Sequence, residues 1–153
     1  MKIGILTYHS SHNYCAFLQA YALCKAIKEN TGNDTEIINF SMEKAEEQNR
    51  CISKSHGHNF RNKRFLQKRY QMFEISSERY HTLSGMRFVS DNPAAFAEWV
   101  NGRYDAIVVG SDEIWKLDGY RGFPTSYWLP GVTGCKKLSY PVKIKNTSNG
   151  CKG

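Results

Sequence analysis

Within its first forty residues the chain runs from a short apolar stretch into a long helical one and back to an apolar one, and this order restricts the fold more than any other feature. Residues 3–8 (Ile-Gly-Ile-Leu-Thr-Tyr) fit a strand buried on both faces. Ser10, Ser11, His12 and Asn13 then supply turn and cap formers. The pattern predicts a helix from Tyr14 to Asn30, closed by Gly32. Glu36 to Phe40 reads as a second strand, so the opening is a βαβ unit, whose crossover should be right-handed. The first turns of the helix are apolar on nearly every side (Ala16, Phe17, Leu18, Ala20, Tyr21, Ala22, Leu23). A helix of that kind needs cover on more than its sheet face.

Further along, residues 42–60 are polar and predict a mobile loop or frayed helix. Residues 61–73 predict a basic helix with Phe65, Leu66, Tyr70 and Phe73 on one side. Pro93 to Val100 fits a short helix capped by Asn92, with Pro93 at its first position. Asp105 to Val109 is the clearest strand, a β-branched run ending at Gly110, and Lys136 to Tyr140 predicts one more. The fold class expected is α/β, with an open, mainly parallel, Rossmann-like sheet. At 153 residues the chain is long enough for one compact domain, expected over 1–140, with 141–153 a polar tail.

The formal charge of +7 suggests nucleic acid, but its distribution argues against that partner. Residues 1–47 carry four basic and six acidic side chains, whereas 48–73 carry seven basic and none acidic. The balance is negative again over 74–118, and the remaining excess lies in the last segment. No nucleic-acid motif accompanies the basic segment. A solvated helix face, or contact with an anionic membrane surface or a lipid-linked sugar phosphate, fits 48–73 better. Five cysteines without a CxxC pair argue against a disulfide framework. The first residues lack the apolar core of a signal peptide. The expected location is cytoplasmic, with a peripheral position on the inner face of the membrane.

Two polar clusters follow strand ends, where open α/β sheets bind ligands. One is His9 to Tyr14. Asn13 is placed there to cap the helix or to reach a ligand. His9 and His12 have no further Cys or His at useful spacing, so a metal site is not expected. The segment is neither a GxGxxG loop nor a P-loop. The other cluster is Gly110-Ser-Asp-Glu-Ile-Trp115, where Asp112 can cap a helix or face a ligand. Gln19, a long amide on the apolar part of the helix, needs partners if buried. These are a ligand, backbone groups, or Ser111 and Asp112 across the crevice.

The strand Ile3 to Tyr8, the run Asn13-Tyr14-x-Ala16-x-Leu18-Gln19-Ala20-Tyr21-Ala22-Leu23 and Ile37-Ile-Asn-Phe40 together resemble the opening of the polysaccharide pyruvyl transferases. Tyr104-Asp-Ala-Ile-Val-Val-Gly-Ser-Asp112 with Trp115, and Tyr127-Trp128-Leu129, resemble the same family. The resemblance spans roughly residues 1–140, with gaps. It implies transfer of a pyruvyl group from phosphoenolpyruvate to a sugar of a cell-surface polysaccharide, giving a ketal. The implied fold is one half of a glycosyltransferase-B-like pair of domains. Phosphoenolpyruvate is then a donor substrate and no cofactor is implied. The acceptor is a sugar or lipid-linked saccharide. Asn13, Tyr14, Gln19, Ser111 and Asp112 become expected substrate-binding residues, and none is expected to transfer the proton. Catalysis also asks for cations facing the donor's carboxylate and phosphate, expected on the second half.

Three positions depart from the pattern. Cys15 stands where the family has Gly, Glu113 where it commonly has Gln, and the second domain is missing after Ser139-Tyr140. A truncated, inactive half is therefore the expected form. A non-catalytic binding or regulatory module, pairing with a partner chain or another copy through the uncovered helix face, is the alternative.

Overall fold

The computed structural model describes residues 1–48, 60–110, 114 and 123–140, with side chains described from residue 64 onward in the third helix. In chain order the elements are β1 (Lys2–Leu6), α1 (Tyr14–Thr31), β2 (Asp34–Ile37), β3 (Phe40–Ser41) and α2 over 43–48. These are followed by α3 (Phe60–Tyr80), β4 (Phe88–Val89), α4 (Pro93–Val100), β5 (Ala106–Gly110) and β6 (Lys136–Tyr140). The architecture is α/β. β2, β1, β5 and β6 form, in that order, one parallel sheet, and β3 and β4 form a second, two-stranded parallel pair.

The central strands are built for burial on both faces. Ile3, Ile5, Ala106 and Val108 point to one side, where they meet Ala20, Leu23 and Cys24 of α1. Leu6, Ile107 and Val109 alternate to the other side and meet Phe96 and Val100 of α4 with Tyr127 and Leu129. Gly4 lies on that second face under close contact. A Cβ there would stand 2.8 Å from the end of Ile38 and 3.0 Å from the Tyr104 ring. Gly4→Val is expected to overpack the site and destabilise the protein by about 1–3 kcal/mol. Thermal melts against wild type would show this, and an unchanged Tm would mean that Ile38 swings clear.

Helices α1 and α4 are punctuated as their residues predict. The Asn13 side chain accepts from the amides of Cys15 (2.8 Å) and Ala16 (3.4 Å), and Gly32 ends α1 with φ 65°. Asn92 accepts from Ala94 ahead of Pro93 and α4.

The second strand differs from its expected span. The ladder with β1 ends at Ile37, and the chain then steps out of the sheet, so Phe40 and Ser41 pair with Phe88 and Val89 instead. Ile38 and Phe40 are both buried among the α4-side residues, and that apolar pull exceeds the tendency to continue the ladder. The basic helix is longer than expected, reaching Tyr80 rather than residue 73. Of the expected insert, 43–48 is helical, and most of the remainder lies outside the described residues.

Cover for α1 comes from an element that the sequence did not point to. Phe17 stacks on His81 (4.3 Å between centroids) and meets Phe73 edge-on, while Tyr21 meets Tyr80. The flank of α1 is thus closed by α3, whereas Tyr14 and Leu18 remain exposed. β6 is an edge strand whose five residues are all exposed, Leu138 and Tyr140 among them.

Candidate functional site

From β1 the chain runs to β2 on one side, while β5 and β6 continue the sheet on the other. The order therefore reverses between β1 and β5. Because those strands are parallel, with Leu6 opposite Val109, the loop after β1 and the residue Gly110 share the carboxyl edge of the sheet. Open α/β sheets bind ligands at that edge.

Beside the loop after β1 is a cavity of about 580 Å³. Outside α3, its polar groups come from four parts of the chain: His9, Ser10, Ser11 and His12 after β1; Asn39 and Ser41 at β3; Glu46 on α2; and Arg87 before β4. One flank of α3 completes it with Tyr70, Phe73, Glu74, Ser77 and Glu78. Glu46 is the hub on the sheet side, accepting from the Ser41 hydroxyl and pairing with the Arg87 guanidinium. That guanidinium is thereby neutralised locally, and Glu74 and Glu78 leave the cavity with a surplus of negative charge.

His9 is buried, with its Nδ1 3.4 Å from the Thr7 carbonyl. Burial pulls its pKa down to about 4, assisted by the charges of His81 and Arg87, and the bonds to Thr7 and Asn39 oppose this only in part. The imidazole is neutral at neutral pH and presents a hydrogen-bonding group without charge. Burial also lowers His12, against the pull of Glu74 and with the help of Arg69.

α3 holds this wall in place through the loop. Its Arg69 donates to the His12 carbonyl at 3.3 Å and lies over the Tyr14 and Phe73 rings, while Tyr70 packs on the His12 imidazole (4.3 Å). At the end of α3, His81 is within 3.1 Å of both the Phe17 carbonyl and the Ser77 hydroxyl. A carbonyl only accepts, so Nε2 carries the proton toward Phe17 and, in the neutral ring, Nδ1 accepts from Ser77. One residue thus ties α3 to α1, consistent with a pKa lowered by burial.

Of the expected binding residues, Asn13, Tyr14 and Gln19 fall beside this cavity rather than in it. Asn13 is exposed and caps α1, Tyr14 is exposed with its ring against Phe73, and Gln19 is half-buried rather than enclosed. None of the three lines the cavity, whereas the histidines and serines immediately before them do. Ser111 and Asp112 lie outside the described residues, directly after β5. Among the described residues no group of three His, Cys, Asp or Glu is arranged to hold a metal ion. Asn39 was within reach of the sequence as another strand-tip residue. Glu46, Tyr70, Glu74 and Arg87 were not, because only tertiary packing brings α2, α3 and the approach to β4 to this edge.

The fold and site together define a parallel α/β domain with a polar cavity at the carboxyl edge of its sheet. No protein-family model matches the chain, and no curated protein matches it. No described helix is long and apolar enough to cross a membrane.

Proposed function

We propose that this domain is the acceptor-binding half of a polysaccharide pyruvyl transferase-type enzyme, holding a neutral saccharide in the cavity beside the loop after β1. The observation that carries this reading is the composition of that cavity at the sheet's carboxyl edge. Its hydroxyls, amide and carboxylates offer acceptors and donors to sugar hydroxyls, and the rings of Phe17, Tyr70 and Phe73 offer flat apolar surface to the C–H face of a pyranose. Its charge does not suit the donor. Phosphoenolpyruvate is a polyanion, and the one guanidinium among the described lining residues is already paired with Glu46 while Glu74 and Glu78 repel anions. The donor's cations would come from a second α/β half of the glycosyltransferase-B kind, which would also cover the exposed Tyr14 and Leu18 of α1. Asn13, Tyr14, Gln19, Ser111 and Asp112 are proposed to face the cleft between the halves.

Calorimetric titration with galactose- and mannose-containing oligosaccharides is expected to give saturable binding. Tyr70→Ala is expected to weaken it about tenfold, by roughly 1.4 kcal/mol of lost ring contact. Incubation of this chain with phosphoenolpyruvate and such an acceptor is expected to release no phosphate above background. A folded protein that binds no saccharide at all would refute the proposal, and phosphate release would show that the missing cations are not required.

A further inference from the structure

We propose that α3 is a membrane-surface helix, laying its outer stripe on an anionic bilayer. The helix has three differently used sides. One lines the cavity through Tyr70, Glu74, Ser77 and Glu78, and a second packs on α1 and its loop through Arg69, Phe73 and Tyr80. The third faces solvent, and it is not the polar face that a solvated helix would present. Phe65, Met72 and Ile75 are 68, 53 and 56% exposed. Lys68 and Arg79 fall between and beyond them, exposed, and the five positions follow one another at spacings of three and four, which places them on one stripe. The stripe extends about 21 Å along the helix.

The charges of α3 are sorted by side. Its two carboxylates, Glu74 and Glu78, both line the cavity, while the exposed Arg64, Lys68 and Arg79 accompany the outer apolar residues. In the sequence, residues 48–63, up to and including the first residues of the helix, carry four basic side chains and no acidic one.

This combination selects among occupants. A second copy meeting the same face would bring like charges together, which opposes a symmetric dimer. An anionic bilayer accommodates both features at once. The apolar side chains enter the boundary between headgroups and acyl chains, and the Lys and Arg heads stay level with the phosphates. The helix lies on the surface rather than crossing it, in keeping with its polar sides. The inference is independent of the transferase reading, since it concerns the side of α3 turned away from the cavity and holds for any ligand in it.

Co-sedimentation of the full chain with phosphatidylcholine vesicles, with and without phosphatidylglycerol, tests the proposal. Binding is expected only with the anionic lipid and is expected to fall as salt is raised. The double variants Phe65→Ser/Met72→Ser and Arg64→Gln/Lys68→Gln are each expected to weaken it about tenfold or more. All four side chains are exposed, so both variants should retain the wild-type circular dichroism spectrum, and the single variant Phe65→Ser replaces Phe65→Ser/Met72→Ser if that one does not. Loss in the charge variant with no effect of the apolar one would indicate simple phosphate attraction and overturn the proposal. Absence of binding to anionic vesicles, or equal binding to neutral ones, would overturn it as well. A chain that light scattering shows to be a dimer, and that becomes monomeric in the Phe65→Ser/Met72→Ser variant, would assign the face to self-association instead.

Discussion

Replacement of Phe40 by alanine is expected to destabilise the protein by about 3–5 kcal/mol, much of the margin of a typical domain. Phe40 is 1% exposed and touches three other rings: Phe96 at 4.5 Å, Tyr127 at 5.4 Å and Phe88 at 6.4 Å between centroids. Those rings come from α4, from the turn Ser126–Trp128 and from β4, so one side chain joins three separate parts of the chain. β3 is only two residues long and has little backbone pairing to hold it without this anchor. Its neighbours Asn39 and Ser41 face the cavity, which should therefore lose ligand binding together with stability. Urea unfolding would measure the loss, with Phe40→Leu expected to recover more than half of it. A shift below about 1 kcal/mol would show that the surrounding rings close over the gap.

Acid is expected to weaken the fold well above the range in which carboxylates titrate. In the unfolded chain His9 takes up a proton near pH 6.5, whereas in the folded chain it resists until about pH 4. Below pH 6.5 the unfolded state therefore binds more protons, and stability falls as pH falls. The contribution is complete above pH 6.5, is reduced by about 2 kcal/mol at pH 5, and is lost by about pH 4 at a total near 3 kcal/mol. His12 and His81, both lowered by burial, shift in the same direction. Urea midpoints at pH 7.5, 6 and 5 should decline in that order, and His9→Gln should flatten the slope if it folds. Should His9→Gln prove unstable, the imidazole resonances followed by NMR in wild type report the same pKa directly. A midpoint that holds steady from pH 7.5 to 5 would contradict this reading.

The parts of the fold that were legible in the sequence are those set by short-range rules. The short continuous apolar runs Ile3 to Leu6 and Ala106 to Val109 specified strands with two buried faces, and Asn13, Gly32 and Asn92 marked helix ends by their side-chain and backbone chemistry. Glu36 to Phe40 misled because apolar residues continue past Ile37 with only Asn39 between them, and the competing pull of the α4 side breaks the strand after Ile37. The role of α3 was least visible. Its basic residues suggested a solvated surface, yet Arg69 reaches inward to His12 and Tyr14, and Tyr70 and Phe73 pack on the loop after β1. For the same reason the cavity lies at His9 to His12 rather than at Asn13, with a wall from α3 that the sequence did not show.

The neighbours of β1 lie at very different distances along the chain. One side pairs with β2, soon after α1, while the other waits for β5, so that the Lys2 amide reaches the Asp105 carboxylate across 103 residues. On a ribosome adding roughly 5–20 residues per second, that partner emerges some ~5–20 s after β1 itself. During this interval Ile3, Ile5 and Leu6 have one unsatisfied side in a nascent βαβ unit that cannot yet close. Folding yield in the cell should accordingly depend on translation speed and on chaperones that hold early apolar segments, and refolding of the finished chain should be slow relative to helical proteins of its size.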